Sequence, residues 1–175
     1  MTGNDTFIVH DLHAFPLIWS RRRAIVPGYA MQWTQEMDAL LARAEPFVIV
    51  FEEGQPEESH EDRKNRGLWL KHNKALLGNI CRAVIAIEPD AVKRAALKAQ
   101  SALASRAFSV AMEVVASSEA ARERAREILA DASHSAPAPA VDPGTLARVA
   151  QRAAQLAAPC ASSPSAPLSS DTSIP

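Results

Sequence analysis

Ser59, His60, Glu61, Asp62, Arg63 and Arg66 bring a hydroxyl, an imidazole, two carboxylates and two guanidinium groups into a short stretch. An imidazole beside a carboxylate is a common acid–base pairing, so His60 and its neighbour Glu61 are the candidates for general acid–base work. Arg63 and Arg66 are placed to hold an acidic substrate, because a guanidinium meets a carboxylate through two parallel hydrogen bonds. Adjacent helical residues point apart, however. His60 shares a side with Lys64 and Arg63 with Arg66, so the cluster is no preformed triad, and a solvated, self-neutralising helix surface is the simpler reading. Ser59 with Asp62 three residues on has the spacing of a capping box, which makes Ser59 an N-cap. Phosphorylation of Ser59 would place charge at a helix N-terminus, against the opposition of Glu57, Glu58, Glu61 and Asp62.

Arg21, Arg22 and Arg23 form a second cationic group able to grip phosphate or carboxylate. No basic helix or run of exposed aromatics flanks them, so nucleic acid is not an expected partner. His10, Asp11 and His13 offer ligand atoms in a turn, but no fourth ligand follows at a motif spacing. Neither a metal nor another cofactor is expected. Trp33 and Trp69, with Trp19, sit beside apolar faces and near arginines, the composition of interface anchors as well as of ordinary core. Cys81 lies in an apolar run and Cys160 far from it, so neither a disulfide framework nor a zinc spacing is present. Cys81 reads as a small core residue.

Elements that could position these groups alternate along the first 130 residues. Strands are expected at 6–10 and 16–25, joined as a hairpin, then at 47–51, at 83–87 and within 108–115. Helices are expected after Pro27, from Ser59, from Pro89–Asp90 and from Ser117 or Ser118 to about Ala130. The first should bury Trp33, Met37, Leu40, Leu41 and Ala44 while Gln35, Glu36, Asp38 and Arg43 stay wet. The second should bury Trp69, Leu70, Leu76 and Leu77, with Gly67 at a close backbone approach. The third should turn Val92, Ala95, Ala96, Ala99 and Leu103 inward. This pattern predicts an α/β domain over 1–130: one central mixed sheet of about five strands, with parallel pairs, covered by four helices. From 131 to 175 the chain is rich in Ala, Pro and Ser, which predicts a flexible tail. Leu146, Val149 and Leu156 allow a short helix at 143–158.

The chain has 175 residues and a formal net charge of -1, which gives no general pull towards nucleic acid or anionic membrane. The N-terminus lacks a basic flank before an apolar core, and the longest apolar runs cannot cross a bilayer. A cytoplasmic protein without membrane contact is expected.

The order strand–strand–helix–strand–helix–strand–helix–strand–helix over residues 6–130 resembles the STAS or SpoIIAA-like fold, in topology and size and without a diagnostic motif. The resemblance implies a bacterial, non-catalytic regulatory or adaptor protein acting through a protein partner, with homodimerisation compatible. In anti-sigma-factor-antagonist members, a phosphorylatable Ser or Thr sits at the junction of the third strand and second helix. Here that region is Glu52–Asp62, Ser59 is its only hydroxyl, and an acidic, longer loop replaces the usual junction. The alternative expectation is a small enzyme or accessory catalyst on an acidic metabolite. His60 and Glu61 would move the proton, and Arg22 or Arg63 would clamp the anion.

Overall fold

In the computed structural model, residues 7–54 and 58–134 are described, together with Gly144 and Gln151. Residues 131–134, expected to begin the flexible tail, belong to the last helix; the rest of that tail, with its expected helix at 143–158, lies outside the described residues apart from Gly144 and Gln151. The elements are β1 (His10–Asp11), β2 (Leu17–Ser20), a 3-10 turn (Arg22–Ala24), α1 (Ala30–Ala42), β3 (Phe47–Phe51), α2 (His60–Ile80), β4 (Cys81–Ile87), α3 (Ala91–Phe108), β5 (Ala111–Val115) and α4 (Ser118–His134). The strands form one sheet in the order β1-β2-β3-β4-β5. Among the described residues β1 and β2 pair antiparallel, and the β2–β3, β3–β4 and β4–β5 pairs are parallel. The expected α/β architecture, one mixed five-stranded sheet with four helices, is present.

Sequential strand order with right-handed crossovers puts every crossover helix on the same face. Phe47 and Ile49 of β3 face α1 and α2 in a core with Trp33, Met37, Leu40, Leu41, Trp69 and Leu77. Val48 and Val50 face the other way, with Ala83, Ile85 and Ile87 of β4, against Ala121 and Ala125 of α4. This two-sided burial explains why β3 reads as an unbroken apolar run.

Polar groups fasten the N-terminal half. Glu36 is buried, and its carboxylate accepts the backbone N–H groups of Ile8, Val9 and His10. These donors serve a side chain, and the first strand is correspondingly confined to two residues. Asp62 likewise accepts from the N–H groups of Gly28 at 2.9 Å and Ala30 at 3.1 Å, so α2 caps the N-terminus of α1. Asp38 accepts from Trp69 Nε1 at 2.8 Å. Glu36 and Asp38 therefore do not stay wet as the sequence suggested; they are the polar bolts of the core.

Two further expectations change. A Cβ at Gly67 would meet nothing within 4 Å, whereas one at Gly78 would come within 2.8 Å of the Ser109 carbonyl oxygen. The close approach is at Gly78. The third helix is also turned over: α3 has no buried residue, and Val92 and Leu103 are 81% and 71% exposed. Its inward side carries Arg94, Leu97, Ser101, Ala104, Ser105 and Phe108, all half-buried. Among the described residues no helix is long and apolar enough to cross a membrane.

Candidate functional site

Between α3 and the sheet lies a cavity of about 330 Å³. Its floor follows the pairing register: Ser20 is opposite Phe51, Phe51 opposite Ala86, and Ala86 opposite Val114. This row lies towards the carboxyl ends of β2, β3 and β4, the place where open α/β sheets most often bind ligands. Val84 and Met112 extend the floor inward, and Leu97, Ser101 and Ala104 of α3 roof it. The half-seated helix is what leaves Val84 and Ala86 only partly covered. A smaller cavity of about 70 Å³, lined in part by Trp33, Met37 and Leu77, shares Phe51, Arg66, Val84 and Met112 with the first.

A hydrogen-bonded trio guards one side of the mouth. Arg66 grips Glu58 in bidentate fashion, Nε to Oε1 at 2.9 Å and Nη2 to Oε2 at 2.8 Å, and Tyr29 Oη donates to Glu58 Oε1 at 2.7 Å. Burial pushes the Glu58 carboxyl up, but the bonds from Arg66 and Tyr29 outweigh it and hold the group below its ordinary value. Burial and the bond to Glu58 push the Tyr29 phenol well above its usual range. Arg66 is held above its ordinary value by Glu58 despite its own burial. A carboxylate held low and a phenol held high are both far from neutral, so neither is poised to move a proton there. The trio is a fixed ion-pair wall.

The other side is less committed. The backbone N–H of Arg22 donates to Glu52 Oε2 at 2.9 Å, while its guanidinium makes no ion pair among the described residues. It lies against Gly54, where a Cβ would come within 2.9 Å of the guanidinium carbon. Ser20 is 1% exposed, and its Oγ has no hydrogen-bond partner among the described residues.

The sequence-derived candidates divide sharply. Arg22 and Arg66 line the cavity; His60, Glu61 and Arg63 line neither cavity and are exposed on the first turn of α2. Arg63 comes no nearer to Glu58 than 3.7 Å. Ser59 is the N-cap of α2: its Oγ accepts from the Asp62 N–H at 3.0 Å and donates to the Asp62 carboxylate. Those bonds, from Ser59 first and then from Gly28, hold the Asp62 carboxyl below its ordinary value. Arg21 is spent on the Phe7 carbonyl oxygen and Asp11, and Arg23 is exposed. Trp33 and Trp69 are buried in the core, edge to face with centroids 5.1 Å apart, so neither is available as a surface anchor. His10 is buried against Glu36, apart from exposed His13. Cys81 is buried, and desolvation pushes its thiol up to about 12, which leaves it inert as a nucleophile at neutral pH.

Ser20, Tyr29, Glu52 and Glu58 are cavity residues that the sequence did not single out. A signal existed for Ser20: it alternates with Trp19 and shares the side of Ile18, so it had to face the α1 and α2 layer. Arg22, two residues on, continues that side. Compared with protein-family models, curated proteins and solved structures, the chain finds no match in any of the three.

Proposed function

We propose that the chain is a non-catalytic regulatory or adaptor protein of STAS-like type, binding a protein partner through the outer face of α3. The observation that carries this reading is the apolar stripe of Val92, Ala96, Ala99 and Leu103, which recurs at helical spacing and faces solvent. Such a stripe on a surface helix ordinarily faces a core or a partner. Lys93 flanks it on one side and Lys98 and Arg106 on the other, and α3 contains no carboxylate. The complementary partner is a protein surface with an apolar centre and an acidic rim. Pairing of α3 with a second copy of itself would set cation against cation, which disfavours a homodimer through this face. With only Val92 and Leu103 as large apolar residues, the stripe is a poor bilayer anchor. The sequential sheet with one antiparallel edge strand supports the STAS-like kinship, although a fold alone supplies no activity.

The test is affinity capture by the full chain and by a V92E/L103E variant whose folding is checked by circular dichroism. The expected outcome is a stoichiometric partner whose interacting surface is acidic, with binding weakened at least tenfold by the variant and by added salt. Equal capture by both chains, or no stoichiometric partner for either, overturns the proposal. A homodimer in sedimentation that the variant dissolves reassigns the face to self-association.

A further inference from the structure

We infer that the cavity beneath α3 binds a small organic cation, its ammonium head held by Glu52 and Glu88 at the ends of the parallel strands and its apolar body lying on the sheet. This does not rest on the partner proposed for the outer face of the helix, since it concerns the inner side.

Charge sets the head of the ligand. Glu52, Glu58, Glu88 and Glu113 line the cavity against the guanidinium groups of Arg22 and Arg66. Arg66 answers Glu58, and Arg124 of α4 answers Glu113, Nε to Oε2 at 2.7 Å. Arg22 is left to face two carboxylates, so negative charge is in excess. Neither of the two is ion-paired among the described residues: Glu52 Oε2 accepts the Arg22 N–H at 2.9 Å, and Glu88 Oε1 accepts the Asp90 N–H at 3.0 Å. Arg94 gives its Nη1 to the carbonyl oxygens of Glu88 and Pro89, each at 2.8 Å, and not to the Glu88 carboxylate. Glu52 Oε1 and Glu88 Oε2 are therefore free acceptors among the described residues. Glu52 directly follows β3 and Glu88 directly follows β4, and these strands are paired, so both carboxylates belong to one end of the sheet. An ammonium group brings three donors, no acceptor and the opposite charge.

Apolar space beside the acidic rim sets the body, since carboxylates on a bare surface would hold a cation only weakly. The floor is apolar from Phe51 and Ala86 inward to Val84 and Met112, and Leu97 and Ala104 roof it. The smaller cavity continues past Phe51, Val84 and Met112. A cavity of about 330 Å³ is at the lower end of the range of small-molecule sites, so a body of roughly eight carbons suits it. Burial of that body supplies the affinity, and the two carboxylates supply the preference for a cation.

The experiment titrates the full chain at neutral pH with octylamine, octanol and octanoate, followed by calorimetry and by tryptophan emission, since Trp33 lines the smaller cavity. Saturable 1:1 binding of octylamine is expected, with octanol about threefold weaker and octanoate about tenfold weaker. Glu52→Gln and Glu88→Gln each keep an acceptor for the backbone N–H they hold, so the fold and octanol binding should stand. Octylamine should weaken about threefold in each. Glu61→Gln, outside both cavities, should leave all three probes unchanged. Ala104→Leu and Ser101→Leu, which fill the roof, should each weaken every probe about tenfold. Octylamine that fails to saturate, binds no tighter than octanol, or keeps its affinity in both glutamine variants would overturn the inference. Undiminished binding in either roof variant would do so too, because it would place the amine on the acidic surface and not in the cavity.

Discussion

Glu36 accepts the N–H groups of Ile8, Val9 and His10, the ring of His10 through Nδ1 at 2.8 Å and the side-chain amide of Gln32 at 2.9 Å. An ionised carboxylate only accepts, so Nδ1 of His10 carries the proton in that contact. Replacing Glu36 by Gln keeps the volume but turns an NH2 group towards a ring of donors. We expect Glu36→Gln to lower stability by about 3 kcal/mol in urea unfolding, since charge-assisted buried bonds are lost and donors are left unpaired. Glu61→Gln, on the exposed first turn of α2, should change it by less than about 0.5 kcal/mol. The two glutamates look alike in the sequence, yet the spacing held a clue. Glu36 falls three residues after Trp33 and four before Leu40, on the buried stripe itself. What the spacing could not reveal is the partner, because the donors come from a segment 26 to 28 residues away.

Helix faces were legible where large and polar residues segregate, as along α2 with Trp69, Leu76, Leu77 and Ile80 inward. They were not legible in α3, where alanine occurs all round the helix and two apolar stripes compete. One carries Val92 and Leu103, the other Leu97 and Phe108, and the sheet took the second. Periodicity alone cannot choose between them. The cavity was hidden for the same reason, since it exists only because α3 sits off the sheet. Glycines in α2 give a sharp test of the packing assigned here. Gly67 has open space around it, so Gly67→Ala should raise stability by up to about 1 kcal/mol through helix propensity. Gly78 is pressed against the backbone of Ser109, which cannot yield as a side chain would, so Gly78→Ala should cost about 1–3 kcal/mol. Thermal or urea unfolding of the two variants would read opposite signs. Equal signs would place the end of α3 wrongly against α2.

Across the whole molecule the element order was readable, because strand and helix periods alternate cleanly and sequential crossovers leave few topologies. The distribution of buried charge was not, and it determines how the fold responds to acid. Glu36, Glu58 and Asp62 all tie α1 or α2 to other segments, whereas the α4 side is joined chiefly by apolar contacts and the partly exposed Arg124–Glu113 pair. In Glu36, burial raises the pKa, but the bonds from His10, Gln32 and the backbone outweigh it; the net direction is down, as for Glu58 and Asp62. Their ordinary values are 4.5, 4.5 and 3.8. A group whose folded pKa lies below its unfolded value stabilises fully above the unfolded value. That stability drains away as pH falls towards the folded value, because the unfolded chain takes up protons first. The urea midpoint should therefore be flat from neutral pH down to about 5 and fall steeply below about 4.5. The loss should be local before it is global. In hydrogen exchange near pH 3, amides of β1 and α1 should lose protection ahead of those of β4, whose Ala83, Ile85 and Ile87 are held against α4 without titratable partners. Simultaneous loss in β1 and β4, or a midpoint insensitive to acid, would mean that these three carboxylates do not govern the stability of the N-terminal half.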